Sequence, residues 1–299
     1  MDVYIVGAGA VGMLVASFLG QADHSVTLIV RNTEQATALS KQGLTRFNID
    51  HTETHIPIKV ATTIPYTTQP IVILVATKYN SLHTIYKNLA NCPNAQLLFI
   101  QNGFNHFEEA LQLPQQHITF GSAQFGAEKT NDTVVVHRGV GVLKLAIGRG
   151  DYRWIHLLEH MQSPLFLIEH HLDAKQMLFE KALLNCFINP LTAILQVQNG
   201  QLLERPHAYK LLQQLYQELT EAFPHMRSTF PFQLVSDLCE KTANNTSSML
   251  ADRLAGRMSE VDTIVGAVIR VAEQQNKELT LLKTLKYLLL AIEENGEKN

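Results

Sequence analysis

The chain reads as an α/β protein whose N-terminal parallel-sheet domain is followed by an all-α C-terminal domain. Three observations predict this. Short apolar runs alternate with amphipathic stretches over the first half of the chain. A glycine-rich turn stands directly behind the first of those runs. Beyond His171 strand signals vanish and only helical spacing of apolar residues remains.

Taken in order, Val3–Val6 is a strand candidate, followed by a glycine turn and a helix over Ala10–Leu19. Val26–Val30 is a second strand, and Thr33–Gln42 is a helix closed by Gly43, a residue suited to a left-handed C′ position. Ile71–Ala76 and Gln96–Ile100 are apolar runs of the length and texture of buried parallel strands. Strands alternating with helices imply right-handed crossovers into one parallel sheet. From about Ile118 the chain turns β-rich; Val134–His137 and Gly141–Ile147 read as a meander or mixed-sheet extension of the first domain, and Phe166–Glu169 as a last strand. Leu172–Leu195, Ala208–Phe223, Phe232–Ala243 and Glu260–Gln274 then carry helical periodicity. The boundary is placed near residue 168, giving domains of 1–168 and 169–299. The polar tail from Glu293 is expected to fray.

Composition narrows the function classes. Hydrophobic residues make up 46% of the 299, enough for a core in each domain. Net charge is only -3 with no basic run, which argues against a nucleic-acid partner. Cys92, Cys186 and Cys239 are odd in number and widely spaced, so they predict neither a disulfide framework nor a metal site and fit a reducing compartment. No basic leader precedes the first strand, and the apolar stretches fall short of the about 18 uninterrupted residues of a membrane span. A cytoplasmic protein is the expectation, and a homodimer is compatible with the reading.

Gly7-Ala8-Gly9-Ala10-Val11-Gly12 is a GxGxxG sequence placed after a strand and opening a helix. In that context Gly7 allows the tight turn, Gly9 lets the backbone approach a pyrophosphate, and Gly12 lets helix and strand pack closely. The helix N-terminus adds free N–H groups and a partial positive charge. The N-terminal domain is therefore expected to be of Rossmann type and to bind a dinucleotide. Arg31 lies 31 − 12 = 19 residues past Gly12, where NAD enzymes place an acidic residue for the ribose diol. Its planar fork suits a 2′-phosphate, which predicts NADPH over NADH. Lys78 and Asn102 follow the Ile71–Ala76 and Gln96–Ile100 strands, at the strand ends where ligands bind in open α/β sheets. A surface lysine and an Asn-Gly turn are the plainer readings of the same residues.

The segment Glu180–Ala193 is a mostly apolar helix carrying Lys181, Asn185 and Asn189 at i, i+4 and i+8, on one face. Buried polar groups must find partners, so these residues either satisfy a helix–helix contact or line a polar cleft. Pro190 is expected to kink or break the helix. A lysine in a partly dry cleft suits proton donation to a developing alkoxide, since burial moves its pKa toward the working pH.

This combination resembles the ketopantoate reductase family. The residues that carry the resemblance are the glycine turn, Lys78, Gln101-Asn102-Gly103, the block from Lys181 through Asn185 to Asn189-Pro190-Leu191-Thr192-Ala193, Asn199-Gly200, and Ser247-Ser248-Met249-Leu250 followed by Glu260. The resemblance implies hydride transfer from NADPH to the C2 ketone of ketopantoate, giving pantoate for pantothenate and coenzyme A synthesis. It places Lys181 on the general acid, Glu260 on the carboxylate that assists it or binds substrate, and Ser248 on a substrate-carboxylate contact. Asn102, Asn185, Asn189 and Asn199 fall on amides near substrate or cofactor, Lys78 near the reaction centre, and Arg31 on the 2′-phosphate site. Taken alone, Ser259-Glu260-Val261-Asp262 also reads as a capping box, Ser248 as part of a polar turn, and Asn199-Gly200 as a turn or C-cap. Pro224–Ser228 and Phe230-Pro231-Phe232 depart from a regular helical pattern and are expected to reshape a loop. A related 2-hydroxyacid dehydrogenase with another keto acid and a non-catalytic NADPH-binding redox sensor are the competing functions.

Overall fold

The computed structural model describes residues 2–151 and 154–296. The chain divides into two units, Met1–Gln101 with His106–Leu178, and Asn102–Asn105 with Phe179–Asn299. The division at 178/179 lies beyond the expected boundary, because a last strand and the first turn of a helix stay with the sheet. The short excursion Asn102–Asn105 goes to the helical unit, which the sequence gives no means of reading.

Among the described residues the first unit holds twelve strands: β1 (Asp2–Val6), β2 (Ser25–Ile29), β3 (Leu44–Phe47), β4 (Glu53–Ile56), β5 (Lys59–Ala61), β6 (Val72–Val75), β7 (Gln96–Phe99), β8 (His117–Ala123), β9 (Gly126–Lys129), β10 (Val134–Gly139), β11 (Val142–Arg149) and β12 (Leu167–His170). Its helices are α1 (Ala10–Gln21), α2 (Thr33–Gln42), α3 (Leu82–Leu89), α4 (His106–Ala110) and α5 (His156–Glu159). The main sheet runs β12-β11-β8-β7-β6-β1-β2-β5. Every pairing from β8 through β7, β6, β1 and β2 to β5 is parallel, as the helix-strand alternation predicts. The four residues of β6 are all buried, the pattern of a strand covered on both faces.

The β-rich stretch divides between two sheets. β11 joins the main sheet, antiparallel to β8 and parallel to β12. β10 instead enters a four-stranded sheet of order β4-β3-β10-β9. β3 and β4 escape a reading by alternation because β3 turns a charged residue inward: Arg46 is 1% exposed. Its guanidinium lies 3.7 Å from the centre of the Phe18 ring, a cation–π distance. It donates to Asn48 Oδ1 at 2.7 Å, Ser17 Oγ at 3.1 Å and Gln21 Oε1 at 2.5 Å. Burial lowers its pKa to about 10, with Asp50 acting in the opposite sense, so the buried charge persists at neutral pH on neutral hydrogen-bond acceptors.

The second unit is helical: α6 (Ala174–Leu195), which begins in the first unit, then α7 (Gln201–Glu204), α8 (Pro206–Ala222), α9 (Met226–Thr229), α10 (Phe232–Lys241), α11 (Ser248–Leu254), α12 (Val261–Gln274) and α13 (Thr280–Gly296). α8 buries Ala208, Leu212, Leu215 and Leu219, a helical stripe. The sequence pattern predicts no helix where α13 stands and predicts fraying from Glu293. Leu282, Leu285 and Leu289 are buried while Tyr287 and Leu288 are exposed, so apolar residues lie on two faces and blur the period. Residues 297–299 lie outside the described residues. The Glu218 carboxylate accepts from Leu281 N at 2.7 Å and Leu282 N at 2.9 Å, which satisfies first-turn N–H groups of α13.

Pro190 does not break α6, which continues to Leu195. The Thr192 hydroxyl donates to the carbonyls of Ile188 at 3.1 Å and Asn189 at 3.0 Å, and Arg253 donates to those of Ala193 and Ile194 at the helix end. The helix-end carbonyls of Ala193 and Ile194 thus find a side-chain donor in Arg253. By length and composition alone α6 could cross a membrane, but most of that stretch is buried, and Ala182, Leu183, Cys186 and Phe187 belong to the core of the helical unit.

Candidate active site

In the first unit the glycine turn links β1 to α1. Gly7 adopts φ 109° and Gly12 packs so closely that a Cβ there would overlap the carbonyl oxygen of Gly7. A Cβ on Gly9 would meet nothing within 4 Å. The three glycines therefore divide as expected, two for chain geometry and one for open space beside the backbone. Gly9 is the N-cap of α1 and offers no side-chain cap, so first-turn N–H groups from Ala10 to Gly12 have no intrahelical acceptor. Open space in front of unsatisfied donors at a helix N-terminus fits a dinucleotide pyrophosphate. Arg31 is exposed in the turn between β2 and α2. The next residue, Asn32, caps α2 by accepting from Glu34 N at 2.8 Å and Gln35 N at 3.1 Å, which fixes the turn that carries the arginine. Lys78 is exposed just past β6, at the start of a single 3₁₀ turn.

The helical unit gathers a second set. Lys181, Asn185 and Asn189 follow one another along one face of α6. Glu260 is the N-cap residue of α12. The Asn102 amide donates to Glu260 Oε2 at 2.9 Å. Two backbone features hold this pair. Glu260 O accepts from Ile264 N at 3.1 Å and from Thr263 Oγ1 at 3.2 Å. Gly103, beside Asn102, adopts φ 74° and lies against the backbone of Thr263, whose carbonyl a Cβ would overlap. The anticipated capping box does not form. Glu260 makes no side-chain cap, and the Ser259 hydroxyl donates to Glu293 Oε1 at 2.5 Å instead.

Lys181 feels two opposed influences: burial lowers its pKa to about 8, and the Glu260 carboxylate raises it. The lowered value has a consequence for stability. Below pH 8 the folded chain holds an ammonium in a disfavoured place, and the whole penalty is present. As pH rises from about 8 toward the ordinary 10.5, the unfolded chain keeps its proton while the folded chain releases it, and stability rises. Urea unfolding across that window is expected to show wild type gaining stability relative to Lys181→Met; a difference independent of pH would contradict the lowered pKa.

The remaining residues separate. Asn189 is buried and its amide lies 3.5 Å from Ser248 Oγ, while the Asn185 side chain makes no hydrogen bond among the described residues. Ser248 is the exposed first residue of α11. Its neighbour Ser247, which belongs to the family pattern but carries no expected role, is the buried cap of that helix. Ser247 accepts from Leu250 N at 3.2 Å and shares a 2.8 Å hydrogen bond with Thr192. A serine ahead of an apolar pair was the available signal. Asn199 joins none of these groups. It is buried, donates to Thr242 Oγ1 at 2.9 Å and takes a backbone bond to Asn245, an arrangement that ties the end of α6 to the end of α10.

A Rossmann-type sheet with an open glycine turn, and a helical unit holding a lysine beside an amide-bound carboxylate, together define an oxidoreductase acting on a CH–OH group. Residues 3–150 match the ketopantoate reductase PanE/ApbA family and residues 173–293 its C-terminal counterpart, ketopantoate reductase PanE/ApbA C terminal. The 2-dehydropantoate 2-reductase of Listeria monocytogenes is 33% identical, over 98% of this chain and 97% of that protein. The crystal structure of the probable 2-dehydropantoate 2-reductase panE from Bacillus subtilis superimposes with a TM-score of 0.84 at 29% identity, covering 98% of this chain and 100% of that one. This chain belongs to the ketopantoate reductase family. A D-mandelate dehydrogenase solved with NADH and anilino(oxo)acetate shares the fold at a TM-score of 0.86 and 21% identity, over 99% of both chains, so the fold alone does not select the keto acid.

Proposed function

We propose that this chain reduces ketopantoate to pantoate with NADPH, Lys181 giving the proton. The observation that carries this reading is the Asn102–Glu260–Lys181 arrangement. An amide fixes a carboxylate, and that carboxylate keeps a desolvated lysine protonated up to about pH 8. A general acid works best with a pKa near the operating pH, and a charged donor stabilises developing negative oxygen. Family membership and the full-length similarity to 2-dehydropantoate 2-reductases support ketopantoate as the substrate.

Bound NADPH supplies the hydride. The chain supplies the rest: first-turn N–H groups of α1 receive the pyrophosphate, Arg31 the 2′-phosphate, and Lys78 a position near the strand ends. Lys181 Nζ delivers its proton to the oxygen that was the ketone and is recharged from solvent, while Glu260 keeps it in the ammonium form. Asn185, Asn189 and Ser248 line one helix face and the facing turn with hydrogen-bonding groups suited to a hydroxyl and a carboxylate.

Arg31→Asp is expected to weaken NADPH about 10–100-fold in a fluorescence titration, since it removes a charge-assisted contact and adds repulsion. NADH is expected to change little; equal losses would remove Arg31 from the 2′-phosphate site. The function itself is tested by NADPH oxidation with ketopantoate beside 2-keto acids lacking the gem-dimethyl group. Preference for ketopantoate supports the proposal. Preference for another acid assigns a related 2-hydroxyacid dehydrogenase, and binding without turnover assigns a redox sensor.

A further inference from the structure

Gln35 sits in the first turn of α2 with 6% exposure. Its backbone N–H is held by the Asn32 cap at 3.1 Å. Its side-chain amide reaches back across the unit and donates to the carbonyl of Ala8 at 3.0 Å and that of Asp132 at 3.2 Å, with Met13 Sδ at 3.8 Å. An amide nitrogen carries two hydrogens, and here each has a carbonyl to serve. Ala8 lies inside the glycine turn, between Gly7 and Gly9, while Asn32 follows Arg31 directly. One residue thus joins the turn that offers N–H groups to the strand end that offers the arginine. Its hydrogen-bond partners are two carbonyls, the Met13 sulfur and the Asn32 cap, not the N–H groups or the arginine that would meet a ligand.

We propose that Gln35 is a positioning residue for NADPH, setting the spacing between the glycine turn and the Arg31–Asn32 turn. The inference rests on the NADPH reading above. Its physical content is preorganisation: a ligand that engages both turns pays no ordering cost when their separation is already fixed. NADPH engages both, through its pyrophosphate and its 2′-phosphate. NADH shares the pyrophosphate but lacks the 2′-phosphate, so it gains nothing from the arginine. Loss of the Gln35 amide therefore acts on the two cofactors unequally, which a residue needed only for folding would not do.

Gln35→Met keeps the length and apolar stem but removes both donated hydrogen bonds. Cofactor fluorescence titrations are expected to show Kd for NADPH rising about tenfold and Kd for NADH rising no more than about threefold, with kcat at saturating NADPH within about twofold of wild type. Gln35→Asn, which keeps the amide but is a methylene short of spanning both carbonyls, is expected to show the same inequality at smaller size and serves if the methionine variant does not fold. Equal weakening of the two cofactors, or none, in a folded variant overturns the proposal. Wild type that binds neither cofactor overturns the NADPH reading on which it stands.

Discussion

Lys181→Ala is expected to lower kcat about 10²–10⁴-fold, the usual worth of a positioned general acid, while leaving the Kd for NADPH within about twofold. α6 buries Ala182, Leu183, Cys186 and Phe187, and Lys181 stands on the same helix face as Asn185 and Asn189. Desolvation alone would drive the lysine toward the neutral amine. Glu260 opposes that, and Asn102 holds Glu260 in place by a 2.9 Å hydrogen bond. The result is an ammonium with a pKa of about 8, which suits the proton donor proposed above. Alanine removes the donor and leaves water as the acid, so the loss falls on kcat rather than on cofactor binding. Stopped-flow hydride transfer with ketopantoate checks this; a variant that keeps wild-type kcat would mean that the proton comes from another group.

Gly103→Ala is expected to be the most damaging change of a single methyl group in the helical unit. The position has φ 74°, where a side chain introduces backbone strain of about 1–3 kcal/mol. A Cβ would also overlap the carbonyl of Thr263, and backbone cannot move aside as a flexible side chain does. Either the Asn102–Asn105 excursion lifts away from α12, or α12 shifts. Both displace the Asn102 amide from Glu260. We expect at least about 2 kcal/mol of lost stability in urea unfolding, with a fall in kcat to match the lost support for Lys181. A variant as stable and as active as wild type would show that Asn102 needs no fixed backbone.

These two positions show how unevenly the site is written in the sequence. The glycine turn was legible because its spacing answers to local demands, namely a tight turn and a close strand–helix approach. The Lys181–Asn185–Asn189 face was legible because a helix has a fixed period. Asn102-Gly103 read equally well as a turn, since nothing local reveals that four residues leave the sheet unit to pack on a helix more than 150 residues later; that separation is 260 − 102 = 158 positions between the bonded side chains. Ser247 and Ser248 look alike in sequence, yet one is a buried cap and the other exposed, a difference that only packing against Thr192 decides. Asn199 shares the family pattern but spends its amide on Thr242. In the fold, β3 was hidden by the inward charge of Arg46, and α13 by apolar residues on two faces. In each case a long-range contact, absent from any local pattern, determines the outcome.

The pH dependence of kcat/KM for ketopantoate, measured in wild type and in Lys181→Ala, decides whether Lys181 gives the proton. The proton donor must be charged, so wild-type activity should hold below pH 8 and fall tenfold per pH unit above about pH 8, the value to which burial brings Lys181. The alanine variant should retain only a small rate with no such limb. A limb of the same position in both proteins, or a wild-type profile flat to about pH 10, where an unshifted lysine would begin to titrate, would contradict the account.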